Sequence, residues 1–229
     1  MRKELPYFNI DGEYGGDQDW FRDPSMRLGG CGAETACDLS IYLTLYKGRP
    51  LYPFDARSLT REDYCRFTKI MKPYLHPRFS GIDRLDIYTE GFGRFLEDSG
   101  ENGVGLETLD GASTYAEAER AVRSSIDSGM PVVMLVLNHK DPAFRDYEWH
   151  WFILNGYDDG GAGSGGARGD SHLDARRTAD AEDMGTAGGG SCIKSVKAVT
   201  YGSWEWLDFH ALWDTGMTRR GGLVLPVLH

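Results

Sequence analysis

Two side chains far apart in this sequence have the types needed for acyl chemistry. Cys31 sits in Gly29-Gly30-Cys31-Gly32-Ala33, directly before Glu34-Thr35-Ala36-Cys37-Asp38-Leu39-Ser40-Ile41-Tyr42-Leu43, a stretch that reads as a helix. A cysteine at a helix start faces unpaired backbone N–H groups and the positive end of the helix dipole. Both favour thiolate, the nucleophilic form, so a reactive thiol is expected here. His150 stands inside an apolar strand, Trp149-His150-Trp151-Phe152-Ile153-Leu154. Cysteine at a helix start plus histidine on a distant strand supplies a nucleophile and a base. The glycines beside Cys31, Gly30 among them, suit an open position that a substrate backbone approaches closely. Trp20 and Trp149 lie near the two groups in sequence and are expected to wall a substrate groove, because pockets favour aromatics.

The remaining candidates read as structural. Cys37, Cys65 and Cys192 fall on or near apolar stretches and are expected to pack as small hydrophobes. His76 and His139 lie in loop-like segments, His172 in a glycine-rich stretch, His210 on a terminal helix and His229 at the end. The acidic segment Asp11 to Asp19 lacks the ligand alternation and closing glutamate of a calcium loop. A cleft-lining loop is expected there instead. The glycine runs at 159–166 and 185–190 have no Gly-Lys-Ser/Thr and no following helix, so they are not phosphate loops. No metal or cofactor is expected.

A net charge of −10 argues against nucleic acid and against docking on an anionic membrane by charge. No apolar run resembles a signal peptide or approaches a membrane span. The four cysteines are scattered without a Cys-x-x-Cys pair, which argues against a disulfide framework or zinc ribbon and fits a reducing cytoplasm.

The elements that must position the two groups come in two blocks. Residues 1–30 read as an ordered loop with one short strand. Helical spacing covers 32–46, and Thr60-Arg61-Glu62-Asp63 caps a helix running to Pro73. A weaker helical pattern spans 82–96, broken at Gly91 and Gly93. A strand at 104–109 follows, then a helix from Ser113 to a cap at Gly129. The apolar run 131–137 is a buried strand, and 149–157 is another. Residues 159–191 are rich in glycine and alanine and read as a flexible insertion. Strands at 193–201 and 204–207, a short helix near 208–213 and a strand at 222–228 complete the chain. Helices first, then a mostly antiparallel sheet, is the α+β pattern. It divides one domain into a helical part (1–100) and a sheet part (101–229).

Three motifs resemble papain-like cysteine peptidases, most closely the bacterial peptidases that cleave after double-glycine leaders. Cys31-Gly32-Ala33 stands where that family has Cys-Gly-Pro opening its central helix. Ser128-Gly129-Met130-Pro131-Val132-Val133 is similar to the family's turn into the first sheet strand. His150 through Gly156-Tyr157-Asp158 is similar to its histidine strand. The resemblance implies Cys31 as nucleophile and His150 as general base and then acid. It implies Gln18, the one glutamine, as a partner of the Cys31 N–H in holding an oxyanion. The place of the residue that orients the histidine is taken by Lys197-Ala198-Val199-Thr200-Tyr201-Gly202. Thr200 is the acceptor in reach there, and Asp158 serves only if its strand bends. Three functions stay open: a thiol hydrolase acting on a peptide or small amide, an acyltransferase using the same thioester, and an inactive peptide-binding module. The sequence does not set an oligomeric state.

Overall fold

The computed structural model describes residues 1–78, 81–160 and 192–229. Its architecture is α+β with an antiparallel sheet. The chain opens with three short strands, β1 (Arg2–Glu4), β2 (Asn9–Ile10) and β3 (Glu13–Tyr14), then a 3-10 turn (Gln18–Trp20) and helix α1 (Pro24–Gly29). The expectation of a loop with one strand is corrected here. Asp23 caps α1 by accepting from the N–H groups of Ser25 and Met26, with Pro24 pre-set for the first turn. β1 escapes sequence reading because its hydrogen-bonding partner lies some 150 residues later.

Helix α2 (Cys31–Lys47) follows at once. Every residue from Cys31 to Leu43 is buried, so α2 is a central helix, and it packs across the sheet. It ends at Gly48, whose φ of 67° is the left-handed C-terminal signal. Helix α3 (Arg61–Met71) is capped by the Thr60 hydroxyl, and α4 (Leu85–Asp98) runs unbroken through both glycines expected to interrupt it. The reason is packing: a side chain at Gly91 would run into the Tyr74 carbonyl.

The sheet holds β4 (Val104–Asp110), β5 (Val132–Val136), β6 (His150–Asp158), β7 (Ser195–Thr200), β8 (Ser203–Asp208) and β9 (Gly221–Leu228), in the order β4-β9-β5-β6-β7-β8. β1 pairs with the far end of β6, Arg2 against Asp158, on the edge that β5 vacates. The first strand of the chain therefore belongs to the sheet, and the division at residue 100 is not clean. Helices α5 (Tyr115–Asp127), held by a Thr114–Glu117 capping box, and α6 (Phe209–Trp213) pack beside the sheet. β5 and β6 are buried along their whole length, as their continuous apolar runs require. The insertion expected at 159–191 lies, from 161 on, outside the described residues, as does His172.

Candidate functional site

The first residue of α2 and the first residues of β6 meet. Cys31 opens the helix, and its sulfur receives a hydrogen bond from the backbone N–H of Trp151, the neighbour of His150. The packing beneath is tight: the Trp151 indole stacks on Tyr88 with centroids 4.5 Å apart and donates to the Ile82 carbonyl at 2.6 Å. Cys31 is thus tied to the strand that carries His150. No hydrogen bond joins the sulfur to the imidazole itself among the described residues.

His150 is held on both sides. Ile153 pairs with Val199 in the ladder, so counting back places Thr200 beside Phe152 and diagonal to His150 on one face. The Thr200 hydroxyl lies 2.6 Å from His150 Nε2. Asp158, at the far end of β6, turns its carboxylate to the Gly160 N–H instead. The Tyr201 ring lies flat over the imidazole, and its hydroxyl is 3.5 Å from Nδ1.

The electrostatics correct one expectation. Burial pushes the Cys31 thiol up to about 11, and it outweighs the lowering by the N–H groups of Trp151, Gly32 and Cys31 itself. The helix start alone favours thiolate, but loss of water costs the anion more. Glu34, one turn along α2, adds to the upward push. Burial likewise drives His150 down to about 4. Both directions favour the neutral thiol and imidazole over the ion pair.

The backbone around the site is strained. Trp149 (φ 56°) and Tyr201 (φ 49°) are left-handed without being glycine. Bulky residues in that region are outliers, and such strain clusters at functional sites. Tyr201 and Gly202 (φ 64°) form the two-residue turn between β7 and β8, where positive φ at both positions matches strand twist. Trp149 and Tyr201 are each about two-fifths exposed above the buried His150.

Gln18 is held by α1, and no hydrogen bond joins its side chain to Cys31 or His150 among the described residues. The residues between it and Cys31 fold as α1, which turns back on the 3-10 turn. The Gln18 amide nitrogen donates to the Arg27 carbonyl at 3.1 Å, and its Oε1 is buried without a hydrogen bond among the described residues. Gly30 is buried against the Met26 carbonyl, where any side chain would collide, so its place is the joint between two helices. Trp20 is half-buried against Tyr64. Trp149 lies under the Arg219 guanidinium.

Three further residues belong to the site's frame. Asp38, buried on α2, accepts from Tyr7 at 2.9 Å, Tyr64 at 2.8 Å and the Gly16 N–H at 3.1 Å. Burial raises it to about 6 despite those donors. Gly16 in turn accepts from the Gly202 N–H at 2.8 Å. One network thus ties α2, the loop before Gln18 and the turn bearing Tyr201. Glu34 is buried with Oε2 unpartnered among the described residues; burial, then Asp38 and the acids at 17 and 19, hold it well above the usual carboxylate range. Tyr201 is the third. The signal for the two acids was present: charges inside an otherwise apolar helix.

The other cysteines differ among themselves. Cys37 is buried as expected, Cys65 is half-buried and Cys192 is exposed. His139 lies in the loop after β5, as expected, and is buried there with its ring bonded to the Ala211 carbonyl. Among the described residues no cluster of His, Cys, Asp and Glu could hold a metal, and no helix is long and apolar enough to cross a membrane. Cavities of about 580 Å³ (beside Asp83, Thr108 and Arg219) and about 730 Å³ (beside Trp20 and α3) are lined by neither Cys31 nor His150. Comparisons with models of protein families, with curated proteins and with solved structures found no match.

Proposed function

We propose that this chain is a thiol hydrolase of papain-like architecture that cleaves a peptide or amide bond. The observation that carries the reading is the junction of α2 with β6: Cys31 is bonded to Trp151 N–H while the adjacent His150 is oriented by Thr200. Thr200 accepts the Nε2 proton, which leaves the Nδ1 lone pair as the base. His150 takes the thiol proton as the sulfur attacks the carbonyl carbon. The C–S bond forms and the carbonyl electrons move to oxygen. The Cys31 N–H and the second amide proton of Gln18, unused by Arg27, receive that oxyanion. His150 then protonates the leaving amine, the C–N bond breaks, and a thioester remains. Water attacks it, His150 takes the water proton, and the sulfur leaves and is reprotonated.

Because the resting pair is neutral, activation is general-base catalysis on substrate binding and not a preformed ion pair. Tyr201 must move off His150 for a substrate to enter. The high thiol pKa and the Tyr201 cover also favour a second reading, a peptide-binding module without turnover. A mixed peptide library with mass-spectrometric detection of new N-termini separates the two. Cleavage by wild type that is lost in both Cys31→Ala and His150→Ala is expected. Cleavage persisting in Cys31→Ala overturns the hydrolase, and peptide capture with no cleavage selects the binding module.

A further inference from the structure

The cavity of about 730 Å³ between the Trp20 loop, α1 and α3 has a charge opposite to that of the whole protein. Five of its lining residues are cations, against the two acids Asp23 and Glu62, in a chain of net charge −10. Three of the cations are already paired, Arg61 with Glu13, Arg66 with Asp63 and Lys72 with Asp23. Arg22 and Lys69 have no ion-pair partner among the described residues, and both are exposed. They converge: Lys69, Arg22 and Arg61 each act on the Cys65 thiol in the same wall, although burial is the larger influence on it. Trp20 and Phe21 add aromatic surface, with the Arg61 guanidinium 4.7 Å above the Trp20 ring. Met26 of α1 lines the same cavity, and only Gly30 separates the end of α1 from Cys31.

We propose that this cavity seats an acidic stretch of a peptide ligand, with Arg22 and Lys69 receiving its carboxylates. Guanidinium groups suit planar carboxylates, and a concave basic wall focuses its field against the acidic remainder of the surface. The volume falls in the range of about 300–1,000 Å³ that ligand pockets occupy. Only the peptide nature of the ligand rests on the function proposed above; the charge and shape of the pocket do not.

Fluorescence anisotropy with fluorescein-labelled hexaglutamate tests this without turnover, on wild type and on Cys31→Ala. Equal binding to both is expected. The Arg22→Gln/Lys69→Gln variant should weaken binding about tenfold, and raising NaCl from about 50 to about 300 mM should weaken it too. Arg94→Gln/Arg120→Gln, an equal charge change at exposed helix positions elsewhere, should leave it unchanged. Absent binding, equal losses in the two double variants, or tighter binding of a labelled hexathymidylate would overturn the proposal. If Cys31 proves unreactive while hexaglutamate still binds through Arg22 and Lys69, the chemistry is lost and this site stands.

Discussion

The Tyr201 ring lies on the His150 imidazole with centroids 4.7 Å apart and planes 3° from parallel. That one contact covers the base and places a hydroxyl at its Nδ1. Removing the ring should open the site. In Tyr201→Ala, iodoacetamide should alkylate Cys31 about tenfold faster than in wild type, and His150 should titrate closer to its ordinary pKa, since desolvation is the stated cause of its shift. Peptide mapping of the alkylated cysteines reads the rate. In wild type the exposed Cys192 should label first.

The Thr200 hydroxyl is within hydrogen-bond distance of His150 Nε2 and, in the proposed mechanism, accepts from it. In Thr200→Val a buried ring N–H loses its partner, at a cost of about 1–3 kcal/mol. If that loss falls on the transition state, kcat drops roughly tenfold to a hundredfold with little change in KM. Thr200→Asp should act oppositely on protonation. A carboxylate beside Nε2 favours the imidazolium, so the His150 titration followed by NMR should move up from about 4.

Asp38 and His150 oppose each other in acid. His150 is held down to about 4 in the folded state, so the unfolded chain binds more protons between there and about 6.5, and stability rises with pH across that window. Asp38 is an acid raised from 3.8 to about 6, so the folded chain holds its proton longer, and stability falls as pH rises through the same range. Each amounts to about 3 kcal/mol, and the two nearly cancel. Asp38→Asn removes one of them. Relative to that variant, wild type should lose about 3 kcal/mol between pH ~4 and ~6 in urea melts. A difference that does not change with pH would contradict the assignment.

Two glycines predict opposite signs. A Cβ at Gly16 would land inside the Tyr64 hydroxyl and 2.8 Å from Asp38 Oδ1. Gly16→Ala should therefore break the Asp38 network and destabilise by more than about 2 kcal/mol. Gly93, inside α4, has nothing within 4 Å of such a Cβ. Gly93→Ala should stabilise by about 0.5–1 kcal/mol. Thermal unfolding of the two variants checks both.

Local chemistry made α2, α3 and α5 legible: apolar residues at helical spacing over 32–46, the hydroxyl cap at Thr60 and the Ser113-Thr114 start act within a few residues of the elements they mark. β1 was not legible, because its pairing partner is β6 and nothing near Arg2 announces it. Asp23-Pro24 does announce α1, although the Gly- and Asp-rich residues around it read as loop. At the candidate site, the residue types at 31 and 150 were visible, but the protonation state of the thiol was not. It depends on how much water the fold removes, and Tyr201, which covers His150, lies 170 positions from Cys31. The strain at Trp149 and Tyr201 is equally a property of the assembled sheet.

The central claim is that Cys31 reacts only with help from His150. Incubation with a peptidyl vinyl sulfone, followed by mass-spectrometric mapping of the adduct, tests it on the intact protein. The expected result is a thioether at Cys31 in wild type that is nearly absent in His150→Ala, while iodoacetamide labels Cys192 equally in both. A Cys31 adduct forming at the same rate without His150, or no adduct at Cys31 in wild type, would contradict the account.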